Sequence, residues 1–312
     1  MSKQFLIQAR NLHRHYDTYH AVNAVNIQLK QGEVLGLLGP NGAGKSTTMN
    51  MLTGNLAPGS GEILINHIDL LDNPKRAKEQ LGYLPEQPPV YKDMTVTEYL
   101  RYCAILRHIP KKDLTKSIDR ALQRCSLTEV RKRLIGNLSK GFQQRVGIAQ
   151  AIIHNPLVVI LDEPTVGLDP VQIQEIRHLI RELGDEHSVI LSTHILPEVQ
   201  AVCDRVQIIN KGQTVYENTL DQISHSISHM NYEIGFTHPI DTALLNALDI
   251  IKNMSELSNN RYQLEIAGDQ HSVSEIAAFA LQNQWQLIEI TPKKVSLESI
   301  FLDLVHVKEN AA

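Results

Sequence analysis

Gly39-Pro40-Asn41-Gly42-Ala43-Gly44-Lys45-Ser46-Thr47 is the stretch whose residue types and spacing could do chemistry. Gly39 to Ser46 fits the pattern G-x-x-x-x-G-K-[ST], a phosphate cradle. Its glycines let consecutive backbone N–H groups converge on an anion without Cβ clashes. A helix opening behind the loop adds unsatisfied N–H groups and the positive end of its dipole. Lys45 would reach the β- and γ-phosphates, and the Ser46 hydroxyl would take one Mg²⁺ position. The competing reading is an ordinary glycine-rich turn between a strand and a helix.

Further along, two apolar runs end in residues of matching chemistry. Leu157-Val158-Val159-Ile160-Leu161 runs into Asp162-Glu163, and Ser188-Val189-Ile190-Leu191-Ser192 runs into Thr193-His194. Such runs read as strands buried on both faces of a parallel sheet. Ligands collect outside the carboxyl ends of such strands, so the loop, the Asp-Glu pair and the histidine would share one rim. Asp162 suits a Mg²⁺ role, Glu163 could orient or deprotonate a water, and His194 could sense the γ-phosphate. Taken singly, each has a plainer explanation: a helix-capping Asp, a solvated carboxylate, a loop histidine.

Leu138-Ser139-Lys140-Gly141-Phe142-Gln143-Gln144-Arg145 opens a helix predicted to reach about Ile153. A serine hydroxyl, a glycine and a helix N-terminus make a second anion site there. Two separate anion sites suggest that each completes a pocket on another molecule.

The elements that must position these groups follow from pattern. Phe5 to Leu12 and Ala24 to Leu29 read as strands around a polar turn at His13–Asp17. Val34 to Leu38 leads into the loop, and Ser46 to Leu52 continues as a helix. Glu62 to Ile68 and Leu81 to Leu84 read as further strands. Thr95-Val96-Thr97-Glu98 is a capping box that starts a helix, and Asp113 to Cys125 is a second, amphipathic one. About 92–140 is therefore a helical insertion in an α/β chain. Gln172 to Leu183 reads as a helix, and Val206 to Tyr216 as a hairpin. Residues 221–230, polar and repetitive, read as a linker. Beyond them the order is β-α-β-β-α-β, a ferredoxin-like unit, with a closing helix from Ser296 to Val305.

The chain has 312 residues, 42% apolar and 21% charged, enough for two domains. Its net charge of −4 gives no basic surface for nucleic acid. No apolar run reaches a membrane span, and the N-terminus lacks a secretory h-region. Cys103, Cys125 and Cys203 read as reduced thiols of a cytoplasmic protein. His225 and His229, spaced i,i+4, have no Cys, Asp or Glu at ligand spacing, and read as solvated rather than metal-binding.

Together the motifs resemble the nucleotide-binding subunit of an ABC transporter over about 3–220. GPNGAGKST at Gly39–Thr47 is similar to the Walker A motif, and LVVILDEP at Leu157–Pro164 to Walker B with its glutamate. LSKGFQQR resembles the family signature, with Lys140 and Phe142 departing from it. Gly167-Leu168-Asp169 resembles the D-loop, and Thr193-His194 the switch histidine. The resemblance implies a P-loop NTPase fold: a mixed sheet core with antiparallel β and helical subdomains. It implies ATP and Mg²⁺ as ligands, with Tyr16 stacking on adenine. It implies Glu163, His194 and Lys45 as catalytic, Ser46 and Asp162 as metal ligands, Ser139 and Gly141 facing the nucleotide of a second chain, and Asp169 of the D-loop as nucleotide-binding. In YLPEQPP, either Glu86 or Gln87 takes the Q-loop role. YLPEQPP, LSKGFQQRVGIAQAIIHNP and DEPTVGLDP resemble type-two exporters, gliding-motility-associated members included. Such a subunit dimerises through its ATP sites, on the inner face of the cell membrane, against a permease on a separate chain. Pro88 to Tyr91 would receive that permease or pack on the protein's own core. The alternative function is a soluble ABC-type ATPase or an ATP-sensing module uncoupled from transport.

Overall fold

Two twelve-residue strands open the chain in the computed structural model: β1 (Phe5–Tyr16) and β2 (Tyr19–Lys30), paired antiparallel. The structure describes residues 4–225, 229–258, 260–267, 270–293, 298 and 301. The polar turn predicted at His13–Asp17 is instead strand as far as Tyr16, and β2 begins five residues before Ala24. The chain turns only at Asp17 and Thr18, with Asp17 left-handed at φ 50°. Pairing of His15 with His20 and Tyr16 with Tyr19 gives these polar residues backbone partners that their polarity does not announce.

β3 (Val34–Leu38) is buried along its whole length and leads through the glycine loop into α1 (Lys45–Leu52). β4 (Ser60–Ile65) and β5 (Ile68–Asp69) complete an antiparallel sheet ordered β2-β1-β4-β5. The sequence reading passed over α2 (Pro74–Glu79). Its proline sits where a missing N–H is harmless, but only Ala77 is buried, too little for a periodic signal.

β6 (Leu81–Leu84) precedes the helical insertion of α3 (Val96–Leu106) and α4 (Leu114–Arg124). Thr95 caps α3 as the sequence predicts: the Glu98 amide donates to its hydroxyl, and its own amide donates to the Glu98 carboxylate. A cap of this kind contributes about 1 kcal/mol. Then come α5 (Lys140–Ile152), β7 (Val158–Asp162), α6 (Pro170–Gly184), β8 (Ser188–Thr193) and α7 (Leu196–Val202). The hairpin β9 (Arg205–Asn210) and β10 (Gln213–Thr219) ends this part.

The second sheet runs β10-β9-β3-β8-β7-β6 and is parallel except at β10. β3, β7 and β8 are buried at every position, which is why they read as unbroken apolar runs. One core cluster joins Ile7, Val25 and Ile63 of the antiparallel sheet to Leu37, Ile160 and Ile190 of this one, with Met49 and Leu52 of α1. Register sets the rim: Leu38 stands beside Thr193, and Asp162 beside Ser192.

Two units divide between Leu220 and Asp221. The predicted linker at 221–230 is largely structured: α8 (Leu220–His225) occupies its start, and β11 (His229–Phe236) begins before its end. The backbone of β11 is claimed by β13, with His229 opposite Ala267. The second unit continues α9 (Thr242–Asn246), β12 (Ile251–Ser258), β13 (Arg261–Ala267), α10 (Gln270–Gln282) and β14 (Leu287–Lys293). Its sheet is antiparallel throughout, ordered β12-β13-β11-β14. Its core packs Ile234, Phe236 and Leu264 with Leu245 of α9 and Ile276 of α10. The helix predicted from Ser296 to Val305 lies outside the described residues, apart from 298 and 301.

Candidate functional site

The glycine loop is shaped by one backbone angle above all. Gly44 stands at φ 103°, immediately before α1, and a Cβ there would lie 2.4 Å from the Ala21 carbonyl oxygen. Only glycine meets both conditions. The loop turns inward, and Lys45 follows with only 5% of its surface exposed. Its ammonium donates to the carbonyls of Gly39 (2.7 Å) and Pro40 (3.2 Å) and lies 3.5 Å from Oε1 of Glu163.

Around this ammonium lies a cavity of about 360 Å³. Tyr16, Asn41, Gly42, Gly44, Lys45, Ser46, Thr47, Glu86, Glu163 and His194 line it, all of them singled out from the sequence. Gly39 and Ala43 do not. A Cβ at Gly39 would meet the Ile209 carbonyl at 2.3 Å, and buried Ala43 spends its amide on Pro40 and its carbonyl on Gly212. Both contacts shape the loop. Tyr19, Ala21 and Val166 are lining residues that the sequence reading missed. The Tyr19 hydroxyl donates to the Gly42 carbonyl (3.0 Å), a contact that depends on the length of the β1–β2 hairpin.

Asp162 ends β7 with 3% exposure, and its Oδ1 makes no hydrogen bond among the described residues. Burial pushes this carboxyl above its usual range; the charges of Glu163 and Glu86 add to that, against the opposing pull of Ser192 and Lys45. An orphaned, buried carboxylate oxygen one residue from the pocket wall fits a hard divalent cation, with the Ser46 hydroxyl as an oxygen partner.

Glu163 follows in a strained conformation, φ 47°, its amide donating to the Ser192 carbonyl (2.9 Å). Its Oε2 lies 2.9 Å from Nδ1 of His194, which emerges from the neighbouring strand β8. One carboxylate therefore touches the loop lysine through one oxygen and the histidine through the other.

Of the two Q-loop alternatives, Glu86 lines both this cavity and a neighbouring one of about 290 Å³, whereas Gln87 lines only the latter, with Lys140 and Gln144. Ser139 caps α5, its hydroxyl accepting from the Phe142 amide (3.4 Å). Neither Ser139 nor Gly141 reaches the Lys45 cavity. Both open on another, of about 790 Å³, with Phe142, Arg145 and Asp169. Asp169 caps α6 by accepting from the Gln172 amide (2.9 Å). Gly141 is packed so closely that a Cβ would lie 2.6 Å from Oε1 of Gln172.

Strand, glycine loop, helix and a strand-end Asp-Glu pair on one rim define a P-loop nucleotide-binding ATPase. The ABC transporter family model matches residues 22–166. Bacitracin transport ATP-binding protein BcrA of Bacillus licheniformis is 32% identical over 303 residues, 96% of this chain and 97% of its own. The chain belongs to the ATP-binding subunits of ABC transporters. A solved ATP-binding subunit of an ABC transporter matches at TM-score 0.64 and 31% identity, covering 71% of this chain and 93% of its own. The dimeric post-hydrolysis state of the ATP-binding cassette MJ0796, bound to ADP and Pi, matches at TM-score 0.62 and 25% identity, over 69% and 98%.

Proposed function

We propose that this chain hydrolyses ATP as a homodimer and drives export through a permease on a separate chain. The observation that carries the reading is the division of its site: Lys45, Glu163 and His194 share one cavity, and Ser139 and Gly141 face another. A nucleotide held by one chain's loop is then covered by the Ser139 face of a second chain.

Within that sandwich, the loop amides and Lys45 bind the β- and γ-phosphates. Ser46 and Asp162 would hold Mg²⁺, which neutralises charge on the phosphate oxygens. Glu163 accepts a proton from the attacking water on its Oε1 side, while His194 holds Oε2. Glu86, on the cavity wall, serves as the Q-loop sensor. Tyr16, 47% exposed, offers a face for adenine worth about 1 kcal/mol. Hydrolysis removes charge that both chains share, and the dimer opens.

Coupling to transport is supported by the relative named for bacitracin transport, and the outward direction by the resemblance of YLPEQPP and DEPTVGLDP to type-two exporters. No described helix is long and apolar enough to cross a membrane. We place the chain at the cytoplasmic face, peripheral to the permease. Purification in gentle detergent tests this reading. A multi-span protein should accompany the chain and stimulate ATP turnover; a chain that purifies alone and hydrolyses ATP at the same rate would contradict it.

A further inference from the structure

Glu198 lies on α7 with 1% of its surface exposed. Among the described residues no cation forms an ion pair with it. Its carboxylate instead accepts two hydroxyls: Oε1 from Thr165, and Oε2 from Thr193 at 2.7 Å. Thr165 and Thr193 are themselves buried, at 2% and 0%. A buried charge without a counter-charge is unfavourable unless its hydrogen bonds are complete, so its presence asks for a reason.

The two threonines supply one. Thr165 is two residues past Glu163, and Thr193 directly precedes His194. The Thr193 hydroxyl also accepts from the Ile195 amide (3.0 Å), fixing the turn that carries the histidine. On the other arm, the Leu168 amide donates to the Thr165 carbonyl (3.2 Å), and the Val166 amide to that of Glu163 (3.3 Å). Glu163 itself stands in the left-handed region. Such a conformation persists only where its surroundings over-determine it.

We propose that Glu198 is a positioning residue for hydrolysis: its carboxylate clamps the loop after Glu163 to the turn bearing His194. The 2.9 Å contact between Glu163 and His194 is thereby set before ATP arrives. This rests on the reading of Glu163 as the base. Glu198 touches neither phosphate nor water; it acts through two hydroxyls on the groups that do.

Steady-state ATPase measurements on the full chain test the clamp. Glu198→Leu should lower kcat on the order of tenfold to a hundredfold, the effect of a small misplacement of reacting groups, with KM for ATP within about twofold. Glu198→Gln, which can still bond both threonines, should recover most of the rate. The triple variant T165V/T193V/E198L removes the three polar side chains together, at the cost of the acceptor for the Ile195 amide; it should fold stably and remain slow. Recovery of kcat in that triple variant would mean that Glu198 only packs, and would overturn the proposal. Glu163→Gln is measured in parallel. Full turnover there would remove the base, and with it the clamp's purpose. Lost turnover there with normal kcat in Glu198→Leu would overturn the clamp alone.

Discussion

Oε2 of Glu163 lies 2.9 Å from Nδ1 of His194, although the two residues are 31 positions apart in sequence and leave different strands. The contact leaves Oε1 directed at the Lys45 side, 3.5 Å from the ammonium. His194→Ala frees the carboxylate to swing toward Lys45. We expect kcat to fall by about 10²-fold, the usual scale for a general acid–base partner, with KM for ATP nearly unchanged. Steady-state kinetics over a range of ATP concentrations separates the two constants. A rise in KM with normal kcat would assign His194 to binding instead.

Asp162 is the second place where structure and chemistry meet. Its raised carboxyl means that, between the unfolded and the folded values, the folded chain keeps a proton that the unfolded chain has lost. Nucleotide-free stability therefore falls as pH rises from the ordinary carboxylate range through the raised folded value. Asp162→Asn removes that fall and should stabilise the nucleotide-free chain at pH 7 by about 1 kcal/mol, while abolishing Mg²⁺-dependent turnover. Thermal melts at pH 5 and 7 check the sign. A lower melting temperature for the variant at pH 7 would show that the carboxylate is well paired.

Acid should destabilise the chain through His154. Burial pushes this imidazole down to about 4, and its Nε2 contacts the Leu81 carbonyl (3.0 Å). An unfolded histidine takes up its proton near 6.5. Below that pH the unfolded chain binds a proton that the folded chain refuses, so stability is lost as pH falls toward 4. Between pH 6.5 and 5 the loss is about 1.6 kcal/mol. Urea unfolding of wild type and His154→Gln at these two pH values measures it, and the variant should lose less.

How far the sequence carried these conclusions depends on the range of the interactions involved. Lys45, Asp162, Glu163 and His194 were legible because each follows an apolar run, and strands buried on both faces have little freedom in where they end. The capping box at Thr95 was legible because all its partners lie within four residues. Tyr19 was not, because its role depends on two strands running past His13 to a turn at Asp17, which cross-strand pairing decides. Glu198 was not, because its partners Thr165 and Thr193 reach it only through the packing of α7. That Glu86 lines the Lys45 cavity and Gln87 does not depends on the direction of one loop, which composition does not encode.

Lys45 and Ser139 line two different cavities, and the proposed function joins them across two chains for one reaction; that is the claim most open to test. Glu163→Gln should bind ATP, lose turnover and accumulate the closed pair. Light scattering of that variant, with MgATP and then with MgADP, reads the mass directly. The account predicts a mass near twice the 35.1 kDa chain with MgATP, and the single-chain mass with MgADP. A single-chain mass under both conditions, with ATP demonstrably bound, would contradict it.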